Sequence, residues 1–316
     1  LSKKEADIIN DDPVANMSVV EVESYISAME KSALLYEERN FDERIEAIDF
    51  IEFQLIGQIE YLLQKDHQSA GLLSLKGRAD NVKCVLEAVD ISLFKQLREN
   101  IRTGGQRGTQ FKSLVKKYVG FNLEDNEHQG EPGYDNLDIF INGLFPFPFM
   151  PEQTKNLEPG MVYYQKTPAR IVFELVEKSQ FNKDDVFFDL GSGLGQVAIL
   201  VNLLAGIRTR GVEFEPAFCN YANDCAAELN ITNVAFINAD ARQTYYSEGT
   251  IFFMYTPFTG QILQDVLEIL RAESLHRKIK IITYGPCTAQ VALQSWLHFA
   301  APQDTHIYKL GFFTSL

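Results

Sequence analysis

Through the first hundred residues, apolar positions recur with the 3.6-residue period of helices buried on one face. Ser18-Val-Val-Glu21 has the spacing of a capping box, and Val22, Tyr25, Ile26, Met29, Ala33 and Tyr36 follow on one stripe. Asn40-Phe-Asp-Glu43 opens a second helix with Ile45, Ile48, Ile51, Leu55, Ile59 and Leu62 aligned. Further helices are predicted over Leu72–Val89 and Ser92–Arg102, the latter stopped by Gly104-Gly105, and over Thr109–Tyr118. Residues 122–133 (NLEDNEHQGEPG) are polar and acidic and read as an exposed linker, and Tyr134–Leu144 reads as a short helix. Residues 144–151 (LFPFPFMP) are apolar, but their alternating prolines deny them helix or strand. Such a segment is expected to lie buried across the face of the next domain, either as interdomain packing or as a wall of a substrate pocket.

After Pro168 the rhythm changes. Strands are predicted at Val186–Leu190, Thr209–Phe214, Val234–Asn238, Ile251–Tyr255, Lys278–Tyr284 and Thr305–Thr314. Helices are predicted at Ala169–Lys178, Gln196–Leu204, Ala217–Leu229, Gly260–Arg271 and near Ala289–Ser295. Short strands joined by helices call for a mostly parallel sheet covered on both faces. The chain thus divides into a helical domain (1–120), a linker and covering segment (121–160) and an α/β domain (161–316). Ligands of such sheets bind beyond the carboxyl ends of the strands, where the strand order reverses.

Composition narrows the partners. Across 316 residues the formal net charge is −14, which disfavours a broad nucleic-acid footprint and suits a small molecule or a basic protein. The cluster Lys112, Lys116 and Lys117 reads as a solvated helix face. Four cysteines without CxxC spacing read as buried, reduced thiols, which points to the cytoplasm. No signal peptide is evident, and no apolar run reaches the ~18 residues that a membrane span needs. The five histidines are scattered without HxH or HxxxH pairs, so no metal site is expected.

The chemistry concentrates at residues 187–199, FFDLGSGLGQVAI. Gly191-Ser192-Gly193-Leu194-Gly195 follows a strand and precedes a helix, as a turn that cradles a nucleotide-type cofactor does. The spacing is GxGxG, whereas a dinucleotide turn reads GxGxxG. Asp189 would repel a pyrophosphate but suits a ligand with an ammonium group. S-adenosyl-L-methionine carries an ammonium and a sulfonium and no phosphate, so a nicotinamide oxidoreductase is disfavoured. Glu213 ends the second strand roughly 20 residues after the turn, where a carboxylate accepts ribose hydroxyls. Asp240 ends the third, placed for an adenine amine, and Met254–Phe258 follows the fourth, beside the sulfonium.

On these residues the C-terminal half resembles the class I S-adenosylmethionine-dependent methyltransferases. Asp189-x-Gly191-x-Gly193-x-Gly195 is similar to that family's first motif, Glu213 to its second and Asp240 to its third. The resemblance implies an α/β, doubly wound, mostly parallel seven-stranded sheet with an antiparallel last strand, here preceded by an all-α N-terminal domain. Thr167-Pro168 and DLGSGLGQV are similar to the non-SET protein-lysine methyltransferases, above all the histone-core type. The cofactor implied is S-adenosyl-L-methionine, with S-adenosyl-L-homocysteine as product. Its site would comprise Asp189, Gly191, Ser192, Gly193, Gly195, Gln196, Glu213, Asp240, Ala241, Tyr164, Thr167 and Tyr255.

One departure stands out. Tyr255-Thr256-Pro257-Phe258 lacks the leading amide or acid of the (Asp/Asn)-Pro-Pro-(Tyr/Phe) motif, which disfavours methylation of adenine, cytosine or glutamine. Tyr163, Tyr164 and Tyr255 are either core or pocket aromatics. As pocket residues, Tyr164 would close over the methionine tail and Tyr255 would face the sulfonium. No side chain must be the base, and Tyr164 and Tyr255 are the catalytic candidates, flanking the acceptor. Glu215 reads as a solvated neighbour of Glu213. The function expected is methyl transfer to a nitrogen or oxygen acceptor, a protein lysine or a small molecule, or else a non-catalytic adenosyl-ligand-binding interaction protein. The acceptor itself is not identified, and a homo-oligomeric contact through the helical domain stays open.

Overall fold

A computed structural model describes residues 17–65, 69–121, 123, 133–300 and 307–316. The linker reading at 122–133 and the start of the expected terminal strand fall almost wholly outside these residues. The chain forms two compact units, residues 1–96 with 117–120, and residues 97–116 with 121–316.

In the first unit the capping box forms as expected. Helix α1 (Val19–Lys31) starts with the Ser18 side chain accepting from Glu21 N and the Glu21 carboxylate accepting from Ser18 N at 2.8 Å. The second predicted helix is α2 (Phe41–Asp49), a π-helical stretch (Phe50–Ile56) and α3 (Gly57–Lys65) in succession. Its widened turns keep Ile51 and Leu55 buried while Phe53 stands 67% exposed. The next two expected helices are one, α4 (Ala70–Arg102, of which 70–96 belong here). Nothing between Val89 and Ser92 breaks a helix. Asp90 is instead drawn inward by Arg44, whose Nε donates to its Oδ1 at 2.7 Å. Val22, Ile26, Leu55, Ile59, Ala79 and Leu86 are the centre of this unit's core.

In the second unit come α5 (Thr109–Tyr118, of which 109–116 belong here), α6 (Asn136–Leu144) and α7 (Ala169–Ser179). They are followed by β1 (Val186–Leu190), α8 (Gln196–Ala205), β2 (Arg208–Glu213), α9 (Pro216–Glu228) and β3 (Val234–Asn238). The chain closes with β4 (Ile251–Tyr255), α10 (Gly260–Ser274), β5 (Lys280–Tyr284), α11 (Cys287–Ala292), β6 (Leu297–Phe299) and β7 (Gly311–Ser315). The seven strands lie in the order β3-β2-β1-β4-β5-β7-β6, with β7 antiparallel to both of its neighbours. The expected seven-stranded, mostly parallel sheet is present. Strand β6 went unread because three residues are too few for a period to show. Every residue of β1 is buried, and β1 pairs with β2 on one side and β4 on the other. The strand order therefore reverses between β1 and β4, which is where a ligand crevice forms.

Two expectations about burial are corrected. Residues 144–151 do not lie buried, since Phe149 is 84% and Met150 59% exposed. Leu144 is buried, and the Tyr221 hydroxyl holds the segment by donating to Phe147 O at 2.6 Å. An extended segment that joins no sheet points its side chains in opposite directions, so apolarity alone does not hide it. Of the four free cysteines, Cys219, Cys225 and Cys287 are buried, but Cys84 is exposed on α4. Lys112 pairs with Glu177 at 3.2 Å, and the Lys116 ammonium sits 5.8 Å over the Phe121 ring, so this part of the helix is occupied as well as solvated.

Candidate active site

The turn after β1 is shaped by close approach. At Gly191 (φ +76°) a side chain would run into Pro257, and at Gly193 (φ +50°) into the Tyr164 ring, so only glycine fits either place. The Gly193 N–H donates to Glu213 Oε2 at 2.7 Å, tying the turn to the end of β2. Gly195 packs beneath Phe236 and Ala222. Gly193 and Gly195 thus shape the turn from beneath and do not line the crevice.

Beyond the ends of β1 to β4 lies a cavity of about 380 Å³, within the range of small-molecule sites. It is lined by all the other residues singled out in the sequence: Asp189, Gly191, Ser192 and Gln196 from the turn, Glu213, Asp240 and Ala241 from β2 and β3, and Tyr164, Thr167 and Tyr255. Thr256 to Phe258, in the stretch read from the sequence as lying beside the sulfonium, also face it, and so do Phe214, Phe218 and Met161, which sequence reasoning missed. The Met254–Phe258 stretch carried a signal, because it follows a strand at the switch point. Met161 carried none.

Several polar atoms lining this cavity are buried and lack partners. They are Asp189 Oδ2, Ser192 Oγ and both ends of the Gln196 amide. Orphaned polar atoms of this kind are uncommon in native proteins, and each calls for a ligand or a reason. The Asp189 side chain is 3% exposed; burial pushes its carboxyl up to about 8, the nearby Glu213 adds to the rise, and the Ala198 N–H opposes it. Glu213 is likewise raised by burial, against hydrogen bonds from Glu215 N and Gly193 N. A buried carboxylate, a hydroxyl and a free amide at a helix start fit the amino-acid end of S-adenosylmethionine, whose ammonium would pair with Asp189 and whose carboxylate needs donors. They do not fit a diphosphate.

Glu215 is not a solvated neighbour. It is 2% exposed and accepts from Thr154 Oγ1 (2.6 Å), Thr154 N (2.9 Å), Lys155 N (2.7 Å) and, as the cap of α9, Ala217 N (3.0 Å). Burial would raise its carboxyl, but these four bonds outweigh it and bring it down to about 2. Strict strand alternation does not reach Glu215 because it lies past the end of β2 and already caps the next helix. It moors the covering segment over the crevice. A second mooring runs through Asp240, whose Oδ2 accepts from Arg242 Nη2 at 2.6 Å while that same nitrogen donates to Glu158 at 2.7 Å. Hydrogen bonds from Arg242 hold the Asp240 carboxyl below its usual range. An adenine amine at Asp240 would share that carboxylate with the Arg242 guanidinium.

The tyrosines separate. Tyr163 is 76% exposed at the rim. Tyr164 turns inward over Gly193, its ring 5.6 Å from Phe218, and burial drives its phenol well above the ordinary range. Tyr255, at the end of β4, packs 4.8 Å from the Tyr284 ring. Both Tyr164 and Tyr255 line the cavity and neither belongs to the core. Among the described residues no group of His, Cys, Asp and Glu is arranged to hold a metal ion, and no helix is long and apolar enough to cross a membrane.

Residues 159–252, from the end of the covering segment into the start of β4, match the model of the family described as histone methylation protein DOT1. The second unit has the strand order and switch-point crevice of the class I S-adenosylmethionine-dependent methyltransferase fold. The open polar groups of its crevice fit S-adenosylmethionine. Among solved structures, the chain is similar to an RNA methyltransferase from Salinibacter ruber in complex with S-adenosyl-L-homocysteine (20% identity, 48% of this chain and 92% of that one, TM-score 0.38). It is also similar to the precorrin-6y C5,15-methyltransferase of Geobacter metallireducens (16% identity, 49% and 92%, TM-score 0.38). A third likeness is to an S-adenosylmethionine-dependent methyltransferase from Aquifex aeolicus (15% identity, 47% and 93%, TM-score 0.39). A comparison with curated proteins finds no match.

Proposed function

We propose that this methyltransferase acts on a nitrogen of a basic protein, with lysine as the acceptor side chain. The observation that carries the cofactor half of this reading is the buried, unpartnered Asp189 Oδ2 at the carboxyl end of β1. The acceptor half is supported by the family match, whose description names histone methylation, and by a net charge of −14, which favours encounter with basic proteins.

S-adenosylmethionine supplies a methyl group on a positively charged sulfur, a leaving group already activated. The chain has to align that group and keep water out. Asp189 takes the ammonium, and Gln196 and Ser192 offer donors to the methionine carboxylate. Glu213 accepts ribose hydroxyls with the capacity left over from Gly193 N and Glu215 N. In the order β3-β2-β1-β4, the end of β3 would hold the adenine, β2 the ribose and β1 the amino-acid tail, which would leave the sulfonium to the residues after β4. Tyr164 and Tyr255 then flank an entering amine. Aromatic surroundings disfavour the ammonium form and help a lysine arrive neutral.

A direct test incubates the full chain with methyl-labelled S-adenosylmethionine and purified core histones, with Asp189→Asn as the blank. Label on lysine, absent from the blank, is the expected result. Label found only on amines of low molecular weight would replace lysine with a small-molecule acceptor. Saturable cofactor binding without transfer to either would make the domain a binding module.

A further inference from the structure

We infer that Thr256 is a positioning residue, which holds the loop after β4 in place as the acceptor-side wall of the cavity. The inference rests on the methyltransferase reading of that site.

Thr256 has φ +42°, a conformation a β-branched residue adopts only under constraint. The constraint is its own hydroxyl. Buried at the end of β4, Thr256 Oγ1 donates to Tyr284 O at 3.1 Å and accepts from Cys287 N at 3.1 Å. These two groups lie on either side of the Gly285-Pro286 turn, where β5 has ended and α11 begins. One side chain thus joins the ends of two neighbouring strands. A Cβ at Gly285 would come within 2.7 Å of Thr256 Oγ1, so the place opposite is kept free for this hydroxyl.

The left-handed residue reverses the chain sharply, and the next residues are fastened by what the reversal brings near. Pro257 fills the notch left by Gly191, and its carbonyl accepts from Val162 N at 3.1 Å. Phe258 bridges to Met161, just past the covering segment. Tyr255, Thr256, Pro257 and Phe258 all line the cavity on the β4 side, where the proposed function would put the sulfur of the cofactor. Releasing the Thr256 hydroxyl frees the strained residue to relax and withdraws Pro257 from the glycine turn. The amino-acid and nucleoside ends of the site, built on β1 to β3, stay as they are.

S-adenosylmethionine and S-adenosylhomocysteine differ in the methyl group and charge at sulfur, so their affinities read this wall without any acceptor. The experiment is calorimetric titration of the full chain with each ligand, in wild type and in Thr256→Val, Thr256→Ser and Thr256→Gly, with thermal melts to verify folding. Thr256→Val should weaken S-adenosylmethionine about tenfold and S-adenosylhomocysteine less than about twofold, the size expected for loss of one or two neutral hydrogen bonds. Thr256→Ser should bind both as wild type does. Thr256→Gly, which tolerates the backbone angle and folds without strain, should repeat the valine pattern. In both weakened variants the Cys287 amide should exchange faster with deuterium. Parallel loss of both ligands, no loss with valine, or serine behaving like valine would overturn the role of Thr256. If wild type binds neither ligand, the cofactor reading itself falls, and this inference falls with it.

Discussion

Each unit buries a charged side chain, and the two are treated in opposite ways. In the helical unit Arg44 is fully enclosed and well supplied with partners. It donates from Nε to Asp90 at 2.7 Å and from Nη1 to Glu37 O at 2.8 Å, with longer contacts to the Leu35, Glu38 and Asn40 carbonyls. In the α/β unit Asp189 is equally enclosed, yet one of its oxygens has no partner and its carboxyl is pushed toward the neutral form. The same contrast separates the buried amides. Gln58 lacks a partner at Oε1 but donates from Nε2 to Met17 O at 2.7 Å, whereas Gln196 lacks partners at both ends. A buried polar group whose valences are filled is architecture. One left open beside a cavity is waiting for a ligand.

The comparison breaks if the two charges respond alike to substitution. The largest expected effect is at Arg44. Arg44→Met should destabilise the helical unit by about 3–5 kcal/mol by leaving Asp90 buried without its counter-ion, and the double change Arg44→Met with Asp90→Leu should recover most of that. Chemical denaturation measures both, and cofactor affinity should not change in whatever remains folded. Asp189→Asn should do the reverse. S-adenosylmethionine affinity should fall by roughly tenfold to a hundredfold, the worth of a charge-assisted hydrogen bond, while the cofactor-free melting temperature holds or rises. A raised carboxyl pKa means the folded state binds the extra proton, so the wild-type cofactor-free protein should lose stability as pH climbs from the ordinary carboxylate range toward about 8. In Asp189→Asn that slope should shrink to the part contributed by Glu213, whose carboxyl is also raised by burial.

The smallest effect sharpens the picture of the covering segment. Glu215, held down at about 2 against an ordinary 4.5, contributes its full stabilisation above pH 4.5 and loses it progressively as pH falls toward 2. Hydrogen exchange at the Thr154 and Lys155 amides should therefore accelerate through that acid window. In Glu215→Gln the same amides should exchange faster already at neutral pH, with a loss of cofactor affinity of a few-fold.

Much of the α/β unit was legible before any coordinates. Strands β1, β3, β4 and β5 carry dense β-branched and aromatic runs bounded by turn residues, β2 is marked by its place between two helices, and Asp189, Glu213 and Asp240 stand where these strands stop. The crevice residues followed from this, since a parallel sheet puts its ligand beyond those ends. Glu215 escaped because its partners, Thr154 and Lys155, lie some sixty residues away in a segment without periodicity. The exposure of Phe149 escaped because proline-broken chains have no face to read. The tether made by Thr256 escaped because a backbone angle and a bond to the next strand leave no mark on a residue type that is common anywhere.

Local pattern alone therefore determined the order of elements, the parallel sheet and the kind of ligand at its switch point, because periodicity and turn chemistry act over a few neighbouring residues. Tertiary structure decided which polar groups are left open, which carboxylate moors the cover and which loop stands against the sulfur. Those outcomes depend on pairings between distant residues, and the balance of burial against hydrogen bonding that settles them exists only once the chain has closed on itself.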